Sequence, residues 1–304
     1  MDATQAPARV RIKTHAKLNL FLRVLGRRAD GYHEVETILH GIEMGDDIDV
    51  ELTDTGKVEI EMTLADSVSD LLPPSEQNTV WHAAQHLIEH QGALNEGVRI
   101  KIVKRIPIGA GLGGGSGNAA GVLVALNELW KTELNRDGLV GIAGRVGSDV
   151  PYCISGGTAL ATARGESLTP LPSPATLWFV LGISHDPLLT RDVYGAWEPG
   201  REAEPVGSAE MTLALGSQDV EEVAALLYND LERPAFTLRP ELAGKKEALV
   251  RAGSLGAAMS GSGPTLFGVA ADEAHAREVA ARVEDEFDKV VVTCSRPECI
   301  ERLD

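Results

Sequence analysis

The chain has 304 residues, 43% hydrophobic and 24% charged, enough to bury a substantial core and to divide into two domains. Its formal net charge of -17 repels nucleic acid and anionic membrane surfaces, and no Lys/Arg cluster interrupts that field. No stretch approaches the roughly 18 uninterrupted apolar residues of a membrane helix, and MDATQAPARVRIKT lacks an apolar signal core; a cytoplasmic protein is therefore expected.

In chain order, AKLNLFL at 16–22 predicts a strand with Ala16, Leu18, Leu20 and Leu22 on one face and Lys17 and Asn19 together on the other. Asp30-Gly31 marks a turn, and DDIDVEL reads as a half-buried strand. A helix is predicted over 78–90 with Asn78 as N-cap. VRIKIVKRI, 98–106, alternates Val98, Ile100 and Ile102 with charged neighbours, as a one-sided strand does. NAAGVLVALNELW spaces its apolar residues as a helix, a second helix runs from Asp137 to Val146 and stops at Gly147, and GGTALATA at 156–163 reads as a strand. TPLPSPATL, 169–177, has three prolines in nine positions and predicts a domain boundary, dividing the chain into 1–168 and 169–304. Beyond it come the strand LWFVLGI, an irregular segment rich in Gly, Pro and Glu, helices near 219–228 and 241–252, the glycine turn MSGSGPT, the strand LFGVAA, the helix DEAHAREVAARVEDEF started by Asp272, and the strand KVVVTC. Such a mixture is an α+β or α/β pattern. Cys153, Cys294 and Cys299 form no C-x-x-C pair and offer no metal spacing, so inert thiols are expected rather than a disulfide or zinc site.

The most informative stretch is RIPIGAGLGGGSGNAAG, 105–121, with six glycines between Gly109 and Gly117. A strand, a glycine loop and a helix N-terminus together aim unpaired N–H groups and the positive end of the helix dipole at one point, and phosphate is the natural occupant. A tight turn needs one or two glycines rather than six. A Walker A loop requires G-x-x-x-x-G-K-[ST], and no lysine lies between Gly109 and Gly121. Gly109, Gly111 and Gly114 satisfy G-x-G-x-x-G, the dinucleotide-binding pattern of an oxidoreductase. The preceding strand, however, carries Lys and Arg where a central parallel strand is continuously apolar, and no second strand ends in Asp or Glu about 20 residues on.

Pro107, Gly111, Leu112, Gly113 and Ser116 resemble the P-x-x-x-G-L-G-x-x-S loop of the GHMP kinases, the superfamily of galactokinase, homoserine kinase and mevalonate kinase. AKLNLFLRVLGRRADGYHEVET, GSDVPY at 147–152 and MSGSGPT at 259–265 are similar to one branch of it, whose acceptor is a methylerythritol carrying a cytidine diphosphate group. The likeness runs from about Lys13 to the end of the chain.

The resemblance implies a two-domain α+β GHMP kinase fold, with an N-terminal domain like domain 2 of ribosomal protein S5 and a C-terminal ferredoxin-like domain. It implies transfer of the γ-phosphoryl group of ATP, with Mg²⁺, to the 2-hydroxyl of the cytidine-linked substrate in non-mevalonate isoprenoid synthesis. A kinase for homoserine, mevalonate or a sugar is the alternative within the superfamily, and either a monomer or a homodimer is compatible with the sequence. Lys17, which on an exposed strand face would ordinarily be only solvated, is by resemblance a catalytic residue that neutralises charge on the transferring group. Asp149, which could equally cap a helix, becomes the general base. Pro107, Ile108, Gly109, Ala110, Gly111, Leu112, Gly113, Gly114, Gly115, Ser116 and Gly117 would wrap the ATP phosphates, with Ser116 near the metal, and Gly117 stands where the family usually has Ser or Ala. Asn19, Tyr32, His33, Thr190 and Tyr194 would bind the substrate, His33 through the edge of the cytosine and Tyr32 and Tyr194 through its faces. SGSGPT would close over the phosphates as a second glycine loop. Lys104 and Arg105 either raise the potential for ATP or are solvated strand ends.

Overall fold

Val10 and Ile12 alternate with Arg9 and Arg11, and the first strand of the molecule grows from that alternation. In the computed structural model, which describes residues 8–65, 78–92, 96–173, 176–199 and 207–303, this strand, β1, runs over Arg9–Arg27. It pairs antiparallel with β2 (His33–Thr53) across the turn at Asp30-Gly31. Gly31 has φ +88°, a conformation open to glycine at no steric cost. The chain continues through β3 (Val58–Leu64), α1 (Thr79–Gln91), β4 (Gly97–Lys104), α2 (Gly114–Leu129), α3 (Arg136–Val146), α4 (Val150–Ser155), β5 (Thr158–Thr162) and β6 (Ser167–Pro170). Asn78 caps α1 by accepting from the Val80 N–H, 2.9 Å, and α3 ends at Gly147.

The second half comprises β7 (Trp178–Ile183), α5 (Thr190–Gly195), α6 (Ser208–Ser217), α7 (Val220–Ala225), β8 (Tyr228–Asn229), α8 (Glu232–Leu238), α9 (Glu241–Arg251), β9 (Gly256–Met259), β10 (Leu266–Ala270), α10 (Glu273–Arg282), β11 (Lys289–Cys294) and β12 (Ile300–Arg302). The segment expected to be irregular contains α5 and α6, and its residues 200–206 lie outside the described residues, as do 174–175 of the proline-rich stretch. The helix expected from 219 to 228 stops at Ala225 because Tyr228 and Asn229 extend to join β1. α10 ends at Arg282, and Glu284–Glu286 form a separate 3₁₀ turn.

The first sheet orders its strands β12-β1-β2-β4-β3, with β5 and β6 extending from β2 and β8 joining β1 in parallel. β4, which feeds the glycine loop, is antiparallel to β2 and parallel only to β3. A dinucleotide-binding domain would place that strand in a parallel sheet, so this topology excludes the oxidoreductase alternative. The second sheet is antiparallel and ordered β11-β7-β10-β9. Numbered along the chain this is 4-1-3-2, with α9 between the first two strands and α10 between the last two, the ferredoxin-like βαββαβ arrangement.

β1 and β2 serve two cores. Val10, Ile12, Ile48 and Val50 pack with α1, α2 and α3. Leu18, Leu20, Phe21, Ile38 and Ile42 pack with Phe179 and Phe267 of the second sheet. The register breaks between His15 and Ala16, where β2 carries two extra residues, and between Asn19 and Phe21, where β1 carries one, and the change of facing falls across these irregularities, as one extra residue turns the following side chains of its strand to the other face. Every residue from Ala16 to Leu22 is consequently buried, and the polar side of the strand expected at 16–22 faces protein rather than solvent.

Candidate active site

α2 begins within the glycine run, at Gly114, because Gly113 takes the left-handed φ of +73° as its N-cap. Gly109 and Gly111, at φ +69° and +75°, bend the preceding loop, and a Cβ on Gly111 would collide with the Ser260 carbonyl. The loop's carbonyls are engaged on the protein side. Leu112 O accepts the Lys17 N–H at 3.0 Å, Gly111 O accepts Lys17 Nζ at 3.0 Å and Ser260 Oγ at 2.9 Å, and Gly115 O accepts Thr79 Oγ1 at 3.1 Å. Among the described residues, no N–H from Ile108 to Ser116 donates to a protein acceptor. A run of unpaired amides at a helix N-terminus is an anion cradle.

This cradle lines a cavity of about 1120 Å³, wide enough for two substrates, given that single-ligand pockets run to about 1,000 Å³. Lys17, Asn19, Tyr32, His33, residues 107–116, Asp149, Thr190 and Tyr194 all border it. Within 107–117 Gly117 does not, being buried inside α2, and of SGSGPT only Gly261 and Ser262 reach the cavity.

Lys17 is 4% exposed, and its ammonium donates to Asn19 Oδ1 at 2.7 Å and Gly111 O at 3.0 Å. Two of its three protons are thereby assigned. Asp149 Oδ2 stands 3.5 Å away, with its side chain 36% exposed. Asn19 is oriented in turn by donating to Thr37 Oγ1 at 2.8 Å, whose hydroxyl donates to Phe21 O at 2.6 Å. Asp149 occupies the N-cap position of α4 yet makes no side-chain capping bond. Its carboxylate faces Lys17 instead, so capping does not account for it.

Tyr32 is 56% exposed, with the Arg164 guanidinium 5.1 Å from its ring centre. His33 and Tyr194 already touch, ring centres 5.0 Å apart, and Trp197 meets His33 edge-on at 5.7 Å. No base fits between His33 and Tyr194 in this arrangement. Burial, and secondarily Arg27, lower the His33 pKa, which favours the neutral ring with one donor and one acceptor. Burial, with Asp149 contributing, pushes the Tyr194 hydroxyl up. Thr190 and Tyr194 are four apart on α5, and Thr190 Oγ1 lies 3.0 Å from Ser262 Oγ.

Sequence reasoning did not single out Arg164, Trp197 or Asn229. Asn229 donates from Nδ2 to Met259 O at 2.7 Å and Gly261 O at 2.8 Å, but its only local signal is the cluster YNDLE. Lys104 is not a solvated strand end, though it borders the cavity, whereas Arg105 is exposed as a strand end would be and does not border it. Lys104 is buried and ion-paired with the buried Asp46, and Arg105 pairs with Asp47 at 2.8 Å. Burial raises the pKa of Cys153 and Cys299, consistent with inert thiols. Among the described residues no three His, Cys, Asp or Glu side chains cluster as a metal site, and no helix is long and apolar enough to cross a membrane.

Residues 78–157 match the family model for the GHMP kinases N terminal domain, and residues 211–289 match that for GHMP kinases C terminal. A 4-diphosphocytidyl-2-C-methyl-D-erythritol kinase of Pelotomaculum thermopropionicum is 42% identical over 91% of this chain and 95% of its own length. One from Shouchella clausii is 42% identical over 88% of each chain. A crystal structure of 4-(cytidine 5'-diphospho)-2C-methyl-D-erythritol kinase superposes with a TM-score of 0.77 at 33% identity, covering 94% of this chain and 98% of that one. A homoserine kinase from Cytophaga hutchinsonii superposes as well, TM-score 0.78 over both whole chains, but at 20% identity, a likeness that carries the architecture alone. Two-fifths identity along nine-tenths of the sequence, with the paired Lys17 and Asp149 set beside the amide cradle, carries more: the chain belongs to the 4-diphosphocytidyl-2-C-methyl-D-erythritol kinase family of the GHMP kinases.

Proposed function

We infer that the protein is an ATP-dependent kinase that phosphorylates the 2-hydroxyl of 4-diphosphocytidyl-2-C-methyl-D-erythritol in isoprenoid precursor synthesis, yielding the 2-phosphate and ADP. The observation that carries the reading is the 3.5 Å approach of Lys17 Nζ to Asp149 Oδ2 beside N–H groups that find no acceptor among the described residues. The amides from Ile108 to Ser116 bind the triphosphate. The third proton of Lys17 faces the transferring group and offsets its charge. Asp149 orients the acceptor hydroxyl and takes its proton as the oxygen–phosphorus bond forms and the bond to the β-phosphate oxygen breaks. In a loose transition state that proton transfer comes late, so a carboxylate suffices as base. Base catalysis of this kind contributes about 10² to 10⁴ in rate.

Mg²⁺ keeps several waters and binds through one or two protein oxygens plus phosphates. A single hydroxyl, Ser116, fits an ion that arrives on the triphosphate, where it would neutralise charge. The cytosine stacks between Tyr32 and Tyr194, with neutral His33 reading its edge and Asn19 and Thr190 lining the path. Residues 1–168 form the nucleotide-binding domain and 169–304 the C-terminal domain, a division supported by the second sheet lying wholly beyond residue 169, while β8 and β12 return from the C-terminal part to the first sheet.

ADP release measured with the cytidine substrate, homoserine and mevalonate tests the reading, with free cytidine as competitor. Turnover is expected with the first alone, inhibited by cytidine, and Asp149→Asn and Lys17→Ala each lose about 10² to 10⁴ in kcat. Equal turnover of homoserine refutes the substrate, and a loss under about tenfold in Asp149→Asn refutes the base.

A further inference from the structure

We propose that Asn229 is a positioning residue for phosphoryl transfer, fixing the Gly261–Ser262 peptide so that the Ser262 N–H is presented to the phosphoryl group beside Lys17. The proposal deepens, and rests on, the kinase reading above.

Asn229 is 5% exposed and sits opposite Leu22 in the parallel pairing of β8 with β1, three residues beyond Asn19. Both Nδ2 protons are used, on Met259 O and Gly261 O, and Oδ1 accepts the Leu231 N–H at 2.9 Å. Its neighbours secure the same junction. Asp230 accepts the Val24 N–H at 2.7 Å and donates its own N–H to Leu22 O at 2.9 Å, while Glu232 accepts the Met259 N–H at 2.8 Å. The segment 228–232 thus ties the second glycine loop to the strand that carries Lys17 and Asn19.

Within that loop, Ser260 N donates to Thr265 O and Gly263 N to Ser260 O. Among the described residues neither Gly261 N nor Ser262 N has a protein acceptor, and both residues border the cavity. A trans peptide sets its N–H opposite its C=O, so anchoring Gly261 O on Asn229 turns the Ser262 N–H away from Asn229. The loop backbone lies against the transfer centre: a Cβ on Gly261 would stand 3.4 Å from Lys17 Nζ and 3.3 Å from Asn19 Oδ1. Gly261 has no Cβ to restrict its ψ, the torsion about which the Gly261–Ser262 peptide turns, and the Gly263 N–H bond to Ser260 O closes the turn without engaging that peptide. Without the anchor the peptide loses the one protein hydrogen bond described for it. With it, a donor is in place before charge develops and needs no reorganisation.

Asn229→Ala and Asn229→Asp test this. Binding of ADP and of the β,γ-imido analogue of ATP is measured by calorimetry, the stoichiometry counts folded sites, and kcat is expressed per folded site. ADP affinity is expected within about threefold of wild type, the analogue's affinity relative to ADP to fall at least about tenfold, and kcat per site to fall about 10² to 10³, as when one oxyanion donor is lost. A merely structural role changes the stoichiometry, or shifts both affinities together. An unmoved affinity ratio with kcat per site within about threefold overturns the proposal. Should the variants not fold, the Ser262 amide proton of ¹⁵N-serine-labelled wild type decides: a shift with the analogue but not with ADP supports the proposal, and no difference overturns it. Wild type that binds neither nucleotide overturns the kinase reading and this inference with it, whereas normal binding with an unmoved ratio overturns this inference alone.

Discussion

Gly117 lies in α2 with its N–H on Gly113 O at 2.8 Å. A Cβ there would meet His15 O at 3.5 Å and Thr14 at 3.7 Å, ordinary contacts, so an alanine side chain finds room. Glycine inside a helix costs about 0.5–1 kcal/mol relative to alanine. Gly117→Ala is expected to raise stability by that amount in urea unfolding, with the KM for ATP unchanged because residue 117 does not border the cavity. Lys17 shows what single-residue reasoning reached. Its alternation with Asn19 in AKLNLFL places both on one side of a strand, but the burial of that side depends on Gly111 and Ser260, 94 and 243 positions away. Asp149 presents the same contrast, since Ser-Asp-Val-Pro reads as a helix start while the side chain is taken up by Lys17.

The turn from β4 into α2 is organised by Asp46, which is fully buried. Its carboxylate pairs with Lys104, accepts the Arg105 and Ile106 N–H groups at 2.6 and 2.8 Å, and accepts Asn118 Nδ2 at 2.9 Å. β4 ends at Lys104 rather than Ile106 because those two amides leave the ladder for this carboxylate. Asp46→Ala would strand the Lys104 ammonium in the interior. Breaking a buried pair from one side costs about 3–5 kcal/mol, so the midpoint of chemical unfolding is expected to drop accordingly; a change under about 1 kcal/mol would contradict the pairing. The loop and the helix start of the glycine run were legible from local spacing alone, whereas Lys104 could not be read correctly because its partner lies 58 residues earlier. Short elements were lost for the same reason: β8 and β12, two and three residues long, exist only through β1.

Across the molecule, His40 joins the two sheets. Its Nδ1 lies 2.9 Å from Thr158 Oγ1 on β5, and its Nε2 lies 2.7 Å from Ser295 Oγ just past β11. Burial lowers its pKa to about 4. The unfolded chain therefore binds a proton near pH 6.5 that the folded one refuses. This contribution to stability is complete above pH 6.5, falls as the pH drops toward 4, and amounts to about 3 kcal/mol over that span. His15 and His33, also lowered by burial, act in the same direction. His40→Gln, which retains a donor and an acceptor, is expected to flatten the pH dependence of unfolding between 4 and 6.5; an unchanged slope would assign it to other groups. Joint closure of the sheets was legible only as fold class, because Ser295 stands 255 positions from His40. The pairing of Ile12, Lys13 and Thr14 with Arg302, Glu301 and Ile300 has a consequence for biosynthesis. On the ribosome, domains generally fold as units in order of emergence, but here the edge of β1 must wait, uncovered, until the codons for residues 300–302 have been translated and those residues have cleared the exit tunnel. A nascent chain arrested before that point would expose the Lys17 strand to proteases that the finished enzyme resists.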